Sequence, residues 1–151
     1  MNPTPATEAD LPAMASVHAQ AFDAPWDEAG MATMFSGAGA YAFVLVDGDP
    51  AGMVLCRAIG GEAEVLTLAV PPWARRRGIG AALMGAAMDE ARARDAAVMF
   101  LEVDVGNEAA VTLYERLGFA RAGLRKAYYD RGVDGRADAL VMRLDLTSAP
   151  R

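Results

Sequence analysis

Apolar residues fall at helical spacing first, at Leu11, Met14, Val17 and Ala21, just after Thr7-Glu-Ala-Asp10. That tetrad reads as a capping box with Asp10 in place of the usual Glu or Gln, so a helix is predicted to start here. Phe22-Asp-Ala-Pro25-Trp26 breaks it, and Asp27 caps a short second helix through Phe35, ended by Gly37-Ala-Gly39. The pattern then turns to strands. Tyr41 to Val46 and Ala51 to Arg57 are joined by Asp47-Gly48-Asp49-Pro50, the Asp-Gly signal of a hairpin. Gly60-Gly61 leads into a third strand, Glu62 to Val70, which completes an antiparallel meander.

Beyond Gly80, Leu83, Met84, Ala87, Met88 and Ala91 return to helical spacing, with Asp89, Glu90, Arg92 and Arg94 on the other side. Ala97 to Val103 is a fourth strand, and Asp104-Val-Gly106 is its exit. Asn107 caps a helix carrying Val111, Leu113, Tyr114 and Leu117, and Gly118 closes it. A strand follows from Phe119, interrupted near Tyr128-Tyr129-Asp130. Asp130 to Asp138 reads as a polar loop, Ala139 to Leu144 as the last strand, and Thr147 to Arg151 as a frayed tail. The expected class is α+β, with a strand–helix–strand crossover at its centre.

Composition narrows the choice of partners. The 151 residues suit one domain, and a net charge of −6 disfavours non-specific nucleic-acid binding. An acidic surface suits a cationic amine or a basic peptide. The one cysteine, Cys56, excludes an intrachain disulfide and reads as a buried small hydrophobe in its strand. The N-terminus lacks the basic start and apolar core of a signal peptide, and no run of about 18 apolar residues is present. A cytoplasmic location without membrane contact is therefore the expectation. His18, the sole histidine, reads as a surface or half-buried helix residue, since no second histidine supports a metal site.

The chemistry gathers around Val70-Pro-Pro-Trp-Ala-Arg75-Arg76-Arg77-Gly78-Ile79-Gly80, a basic glycine loop between strand and helix. Glycines admit close backbone approach, and the first helical turn offers unpaired N–H groups and a positive dipole end. Together they make an anion site, most naturally for a pyrophosphate. The phosphate-loop NTPase pattern fails because Ala81-Ala82 follow Gly80. The dinucleotide fingerprint fails because Leu83 stands where a small residue is needed, and because Pro71 to Arg77 separate strand from glycines.

Two further residues stand out. Glu102 lies in the apolar run Val98 to Val103, where a carboxylate is costly unless paired or at an exposed strand end. It reads as a structural ion pair or as a general base, acting directly or through water. Tyr114 reads either as core or as a phenol able to protonate a departing thiolate.

Arg75-x-x-Gly78-x-Gly80 resembles the acetyl-CoA motif of the GNAT superfamily of N-acetyltransferases. Leu101-Glu102-Val103, Asn107 and Leu113-Tyr114-Glu115-Arg116-Leu117-Gly118-Phe119 are similar to its second signature. Phe22 to Trp26, Tyr128-Tyr129 and Asp134 to Met142 are similar to its RimI-type branch of ribosomal-protein alanine N-acetyltransferases. The resemblance implies a mixed sheet of six to seven strands with a splayed parallel pair and about four flanking helices. It also implies that Leu68, Ala69 and Val70 offer backbone hydrogen bonds to the pantetheine. Arg75, Arg76, Arg77, Gly78, Ile79, Gly80 and Ala81 would hold the pyrophosphate, and Asn107 would contact the coenzyme.

By the same resemblance Glu102 is the base and Tyr114 the acid of a direct transfer, with acetyl-CoA as co-substrate and no metal. The partner is the N-terminus of a protein, expected to be a ribosomal one. Asp104-Val105-Gly106 departs from the family, which often carries a basic residue after Glu-Val to hold the peptide. A small amine as acceptor, or coenzyme binding without catalysis, are the alternatives.

Overall fold

The computed structural model describes residues 2–130 and 136–147. Among them are seven strands in one sheet: β1 (Thr4–Pro5), β2 (Ala40–Asp47), β3 (Asp49–Ile59), β4 (Glu62–Ala69), β5 (Val98–Asp104), β6 (Ala120–Asp130) and β7 (Arg136–Asp145). The spatial order is β1-β2-β3-β4-β5-β7-β6, and every neighbouring pair is antiparallel except β4 with β5. Four α-helices flank it: α1 (Leu11–Ala21), α2 (Glu28–Phe35), α3 (Ile79–Ala93) and α4 (Glu108–Arg116). The expected mixed sheet with one parallel pair is present, and its first strand, β1, adds two residues that no periodicity marked.

Local chemistry sets most boundaries. Thr7 N–H donates to Asp10 Oδ2 at 2.8 Å, so the shorter acid still caps the helix start, through a 3-10 turn at Glu8–Asp10. Asp27 Oδ1 accepts from Gly30 N at 2.7 Å and opens α2. Gly60 and Gly61 have φ of +62° and +85°, the pair of positive angles that a tight β3–β4 hairpin demands. Gly118, at φ +104°, closes α4 in a Schellman motif, with Phe119 N–H donating to Tyr114 O and Gly118 N–H to Glu115 O, both at 3.0 Å.

The C-terminal strands run further than their sequence suggests. Strand β6 continues through Tyr128 to Asp130, with a register shift between Arg125 and Tyr129 where the pattern suggested an interruption. Strand β7 starts at Arg136, so the expected loop from Asp130 to Asp138 is shortened at both ends, and its residues 131–135 lie outside the described ones, as do residues 148–151 of the tail. Cross-strand pairing of Tyr129 with Ala137 and Asp130 with Arg136 extends the ladder, overriding the weak strand preference of Asp130.

The helices form two layers. Leu83, Met84, Ala87 and Ala91 of α3, with Val111 and Tyr114 of α4, pack on Val54, Cys56, Val65, Met99 and Leu101. Met14, Val17 and Met31 of α1 and α2 pack on the opposite face, against Ala42, Val44, Met53 and Leu55. Burial pushes the Cys56 thiol up to about 12, which fits a small core residue and not a nucleophile. Gly52 lets α3 approach: a Cβ there would stand 2.8 Å from both Ile79 Cγ2 and Leu83 Cδ1.

His18 is not a surface residue; it is only 3% exposed. Its Nδ1 accepts from Trp26 N–H at 3.1 Å, so Nε2 carries the ring proton and donates to Thr67 Oγ1 at 3.0 Å. The ring lies 4.5 Å from that of Phe22 and 5.1 Å from that of Trp26. Loss of solvation pushes the imidazole down to about 4.

Gly52→Ala is expected to destabilise the fold by about 1–3 kcal/mol, because Ile79 and Leu83 are buried and must shift. Urea unfolding reads the loss, and an unchanged midpoint would contradict the close approach. For His18 the sign follows from its lowered value. Between about 4 and 6.5 the unfolded chain binds the proton and the folded one does not. The contribution is therefore full above 6.5 and is lost as pH falls through that window, on the order of 3 kcal/mol at its lower end. His18→Gln keeps an acceptor and a donor without titrating. The stability difference between the variant and the parent chain should then shift toward the variant as pH falls, and a pH-independent difference would refute the neutral clamp.

Candidate active site

The site starts from an irregularity in β4. Across the β3–β4 ladder Leu55 faces Thr67 and Cys56 faces Val65, which leaves Leu66 as an extra residue. The parallel pairing of β4 with β5 stops at the same place, with Val65 opposite Leu101. Leu66 to Ala69 therefore run on with no β5 partner, while Glu102, Val103 and Asp104 stay paired with Val141, Leu140 and Ala139 of β7. The two strands part, and Leu68, Ala69 and Val70 border the gap. Of these, the carbonyl of Val70 already accepts from Arg75 Nε at 3.0 Å.

The glycine loop closes one end of this gap. Gly78, at φ +75°, is the N-cap of α3 and brings no side-chain oxygen to the helix end. Ile79, Gly80 and Ala81 thus direct N–H groups outward without intrahelical acceptors, at the positive end of the helix dipole. A Cβ on Gly80 would lie 3.2 Å from Leu113 Cδ2 and 4.0 Å from Leu68 Cδ2, so the loop, the gap and α4 meet here. The three arginines diverge. Arg75 turns back to Val70, Arg77 pairs with Asp47 at 3.2 Å, and Arg76 adopts φ +65° with no side-chain hydrogen bond or ion pair among the described residues. Backbone donors beside a guanidinium suit a phosphate-bearing coenzyme.

Asn107 lies at the other side of the parted strands, where its Oδ1 accepts from Ala110 N at 3.2 Å and caps α4. Asp104 Oδ1 accepts from Gly106 N at 2.8 Å, so this departure from the family pattern closes the turn out of β5.

Glu102 and Tyr114 sit on opposite faces of the sheet. Glu102 projects on the face away from α3, into a cavity of about 390 Å³ shared with Arg57, Glu64, Phe100 and Val141. Arg125 of β6 reaches over β7 and its Nη1 donates to both carboxylate oxygens, at 2.5 and 2.9 Å. Sequence reading missed that partner: one arginine in a polar strand carries no mark of a contact across an intervening strand. On β7 it is Ala139, a small residue, that pairs with Arg125, next but one to the Val141 that pairs with Glu102. Arg57 and Glu64 form a second ion pair at 2.6 Å on the cavity wall. Tyr114 is buried among the α3-side residues and meets Phe119 edge-on at 5.9 Å.

Comparison with known proteins agrees with this geometry. The sequence model of the acetyltransferase (GNAT) family matches residues 11–119. The [ribosomal protein bS18]-alanine N-acetyltransferase of Escherichia coli (strain K12) is 37% identical over 139 residues, covering 91% of this chain and 93% of that one. The crystal structure of the ribosomal-protein-S18-alanine N-acetyltransferase from Escherichia coli is similar with a TM-score of 0.87 at 34% identity, over 99% of this chain and 97% of that chain. The NatC complex bound to Gag peptide and CoA contains a chain of the same fold, with a TM-score of 0.79 at 22% identity over 97% and 100% of the two chains. Parted parallel strands, an amide-rich helix start between them and a family pattern spanning most of the sequence lead to one assignment: this chain belongs to the GNAT family of acetyltransferases.

Proposed function

We propose that the protein transfers acetyl from acetyl-CoA to the N-terminal α-amine of a protein, with the N-terminal alanine of a small-subunit ribosomal protein as its substrate. One observation carries the reading: β4 and β5 part directly after Val65 and Leu101, so Glu102 stands where the gap opens and the β4 side of the gap runs on to the loop amides. The similarity to the bS18 enzyme over nine-tenths of both chains supports the choice of acceptor.

The pantetheine would lie in the gap beside Leu68, Ala69 and Val70, its pyrophosphate on the amides of Gly78 to Ala81, with Arg76 alongside and Asn107 across the gap. The acceptor amine enters from the Glu102 face. With an ordinary pKa of about 7.7–8.0, an α-amine is partly neutral near pH 7 and needs modest help from a base; a lysine near 10.4 needs more. The amine attacks the thioester carbonyl, so a C–N bond forms and the C–S bond breaks. Glu102 takes the proton that the amine sheds, once the incoming ammonium has displaced Arg125 from its carboxylate. Tyr114, on the other face, gives a proton to the leaving sulfur, whose thiol is itself fairly acidic at about 8.5.

The deciding experiment is mass spectrometry of two peptides incubated with the protein and acetyl-CoA. One has a free N-terminal alanine; the other has a blocked terminus and an internal lysine. Acetyl on the free terminus alone is expected, and modification of the lysine or of neither peptide would overturn the Nα assignment. Tyr114→Phe is expected to lower kcat by about 10²-fold while coenzyme affinity stays within about twofold. Equal turnover would remove the acid role. Glu102→Gln is expected to cost about 10²-fold in kcat/KM for the peptide, and a parent-like value would return Glu102 to a purely structural ion pair.

A further inference from the structure

The coenzyme loop is held from both sides by contacts that the transfer chemistry does not use. Trp73 Nε1–H donates to Gln20 Oε1 of α1 at 3.0 Å. Arg77 Nη1 donates to Asp47 Oδ2 at the β2–β3 hairpin at 3.2 Å, and the same guanidinium stands 5.7 Å from the Trp73 ring centroid. The result is a continuous path, Gln20–Trp73–Arg77–Asp47, running from α1 across the loop to the hairpin. Its members are about half exposed, so no core packing dictates their arrangement.

We propose that these four side chains form a brace that keeps the coenzyme loop in its anion-binding shape, with Arg77 acting as a strut and not as a phosphate ligand. The proposal rests on the assignment of this loop to the pyrophosphate. Two features of the loop call for such support. Arg76 holds φ +65°, a left-handed conformation that L-residues with a Cβ avoid. It is maintained because its neighbours are tied down on either side, Arg75 to Val70 and Arg77 to Asp47. The stretch also contains no hydrogen-bonded strand and only a three-residue 3-10 turn at Pro72–Ala74. A loop left loose would have to be ordered by the ligand, which weakens binding; one fixed on folding binds without that cost.

Charge favours the strut reading too. Asp47 places a carboxylate near a site meant for phosphates, and the paired Arg77 neutralises it. Arg77 therefore has two duties, holding the loop and screening Asp47, so its loss should cost more than the loss of Asp47. Gln20, Trp73, Arg77 and Asp47 are positioning residues in this scheme, and Arg76 is the arginine facing the ligand.

The test is calorimetric titration of CoA and of dephospho-CoA into the full chain and its variants, with steady-state kinetics alongside. Asp47→Asn is expected to weaken CoA binding about threefold and raise the KM for acetyl-CoA to match, leaving kcat at saturating coenzyme and the peptide KM within about twofold. Arg77→Asp should weaken binding more, about tenfold, and the reciprocal exchange Asp47→Arg with Arg77→Asp should recover most of it. Arg76→Asn tolerates the left-handed backbone and lacks the charge, so its loss should appear equally with dephospho-CoA and be beyond rescue at position 47.

Tighter or unchanged binding in Asp47→Asn would overturn the proposal, since it would make Arg77 a phosphate ligand held in check or an idle side chain. Failure of the reciprocal exchange to recover binding would overturn it as well. If the parent chain bound neither CoA nor dephospho-CoA, the coenzyme assignment would fall and the brace with it. Binding by the parent with no change in any brace variant would sink the brace alone.

Discussion

Leu66 has no counterpart across the β3–β4 ladder, and the rest of the site depends on that extra residue. Before it, Ala63 and Val65 face the α3 layer; after it, Leu68 faces that layer, and Thr67 and Ala69 face α1 and α2. A bulge bends its strand and increases its twist. Here it turns β4 away from β5 one residue after their last pair, Val65 with Leu101. Backbone amides and carbonyls inside a fold need partners. A strand that leaves its neighbour mid-sheet thus presents a row of groups that a guest can satisfy, in a slot whose far wall is kept straight by β7.

Both helical layers fasten to the displaced half of β4. From one side His18 bonds to Thr67 and, through its other nitrogen, fixes the corner at Trp26. From the other, Gly80 brings the start of α3 against Leu68 and Leu113, and Gly52 lets the same helix settle on β3. Small residues do here what larger ones could not. The gap is therefore a feature held open by packing on both faces, and the groups read as base and acid stand on either side of it.

What could be read from the sequence was the chemistry of the turns and caps. Asp47-Gly48, Gly60-Gly61, Asn107 and Gly118 each act within a few residues of themselves, and each does in the structure what its type demands. The positions of the glycine loop, Glu102 and Tyr114 were legible for a similar reason, as spacing along the chain. The bulge was not: Glu64 to Ala69 holds no glycine or proline, and its apolar run is equally consistent with an undisturbed strand. Nor were contacts between distant segments. Arg125 meets Glu102 across a whole strand, Arg77 meets Asp47 thirty positions earlier, and His18 loses its solvent only when α1 docks on β4. The C-terminal strands lengthened because pairing supplied what composition lacked.

The two margins of the sheet have a bearing on how this protein behaves in a crowded solution. On one side β1 covers β2 with two residues, and one of them is Pro5, which has no N–H to offer to another chain. On the other, β6 breaks step with β7 twice and carries the exposed Arg121. Short length, proline, irregular register and cations are the devices by which sheets avoid recruiting foreign strands. Under the proposed function, the extended N-terminal segment of a substrate would come close to this sheet. These margins leave such a segment no ready edge to join.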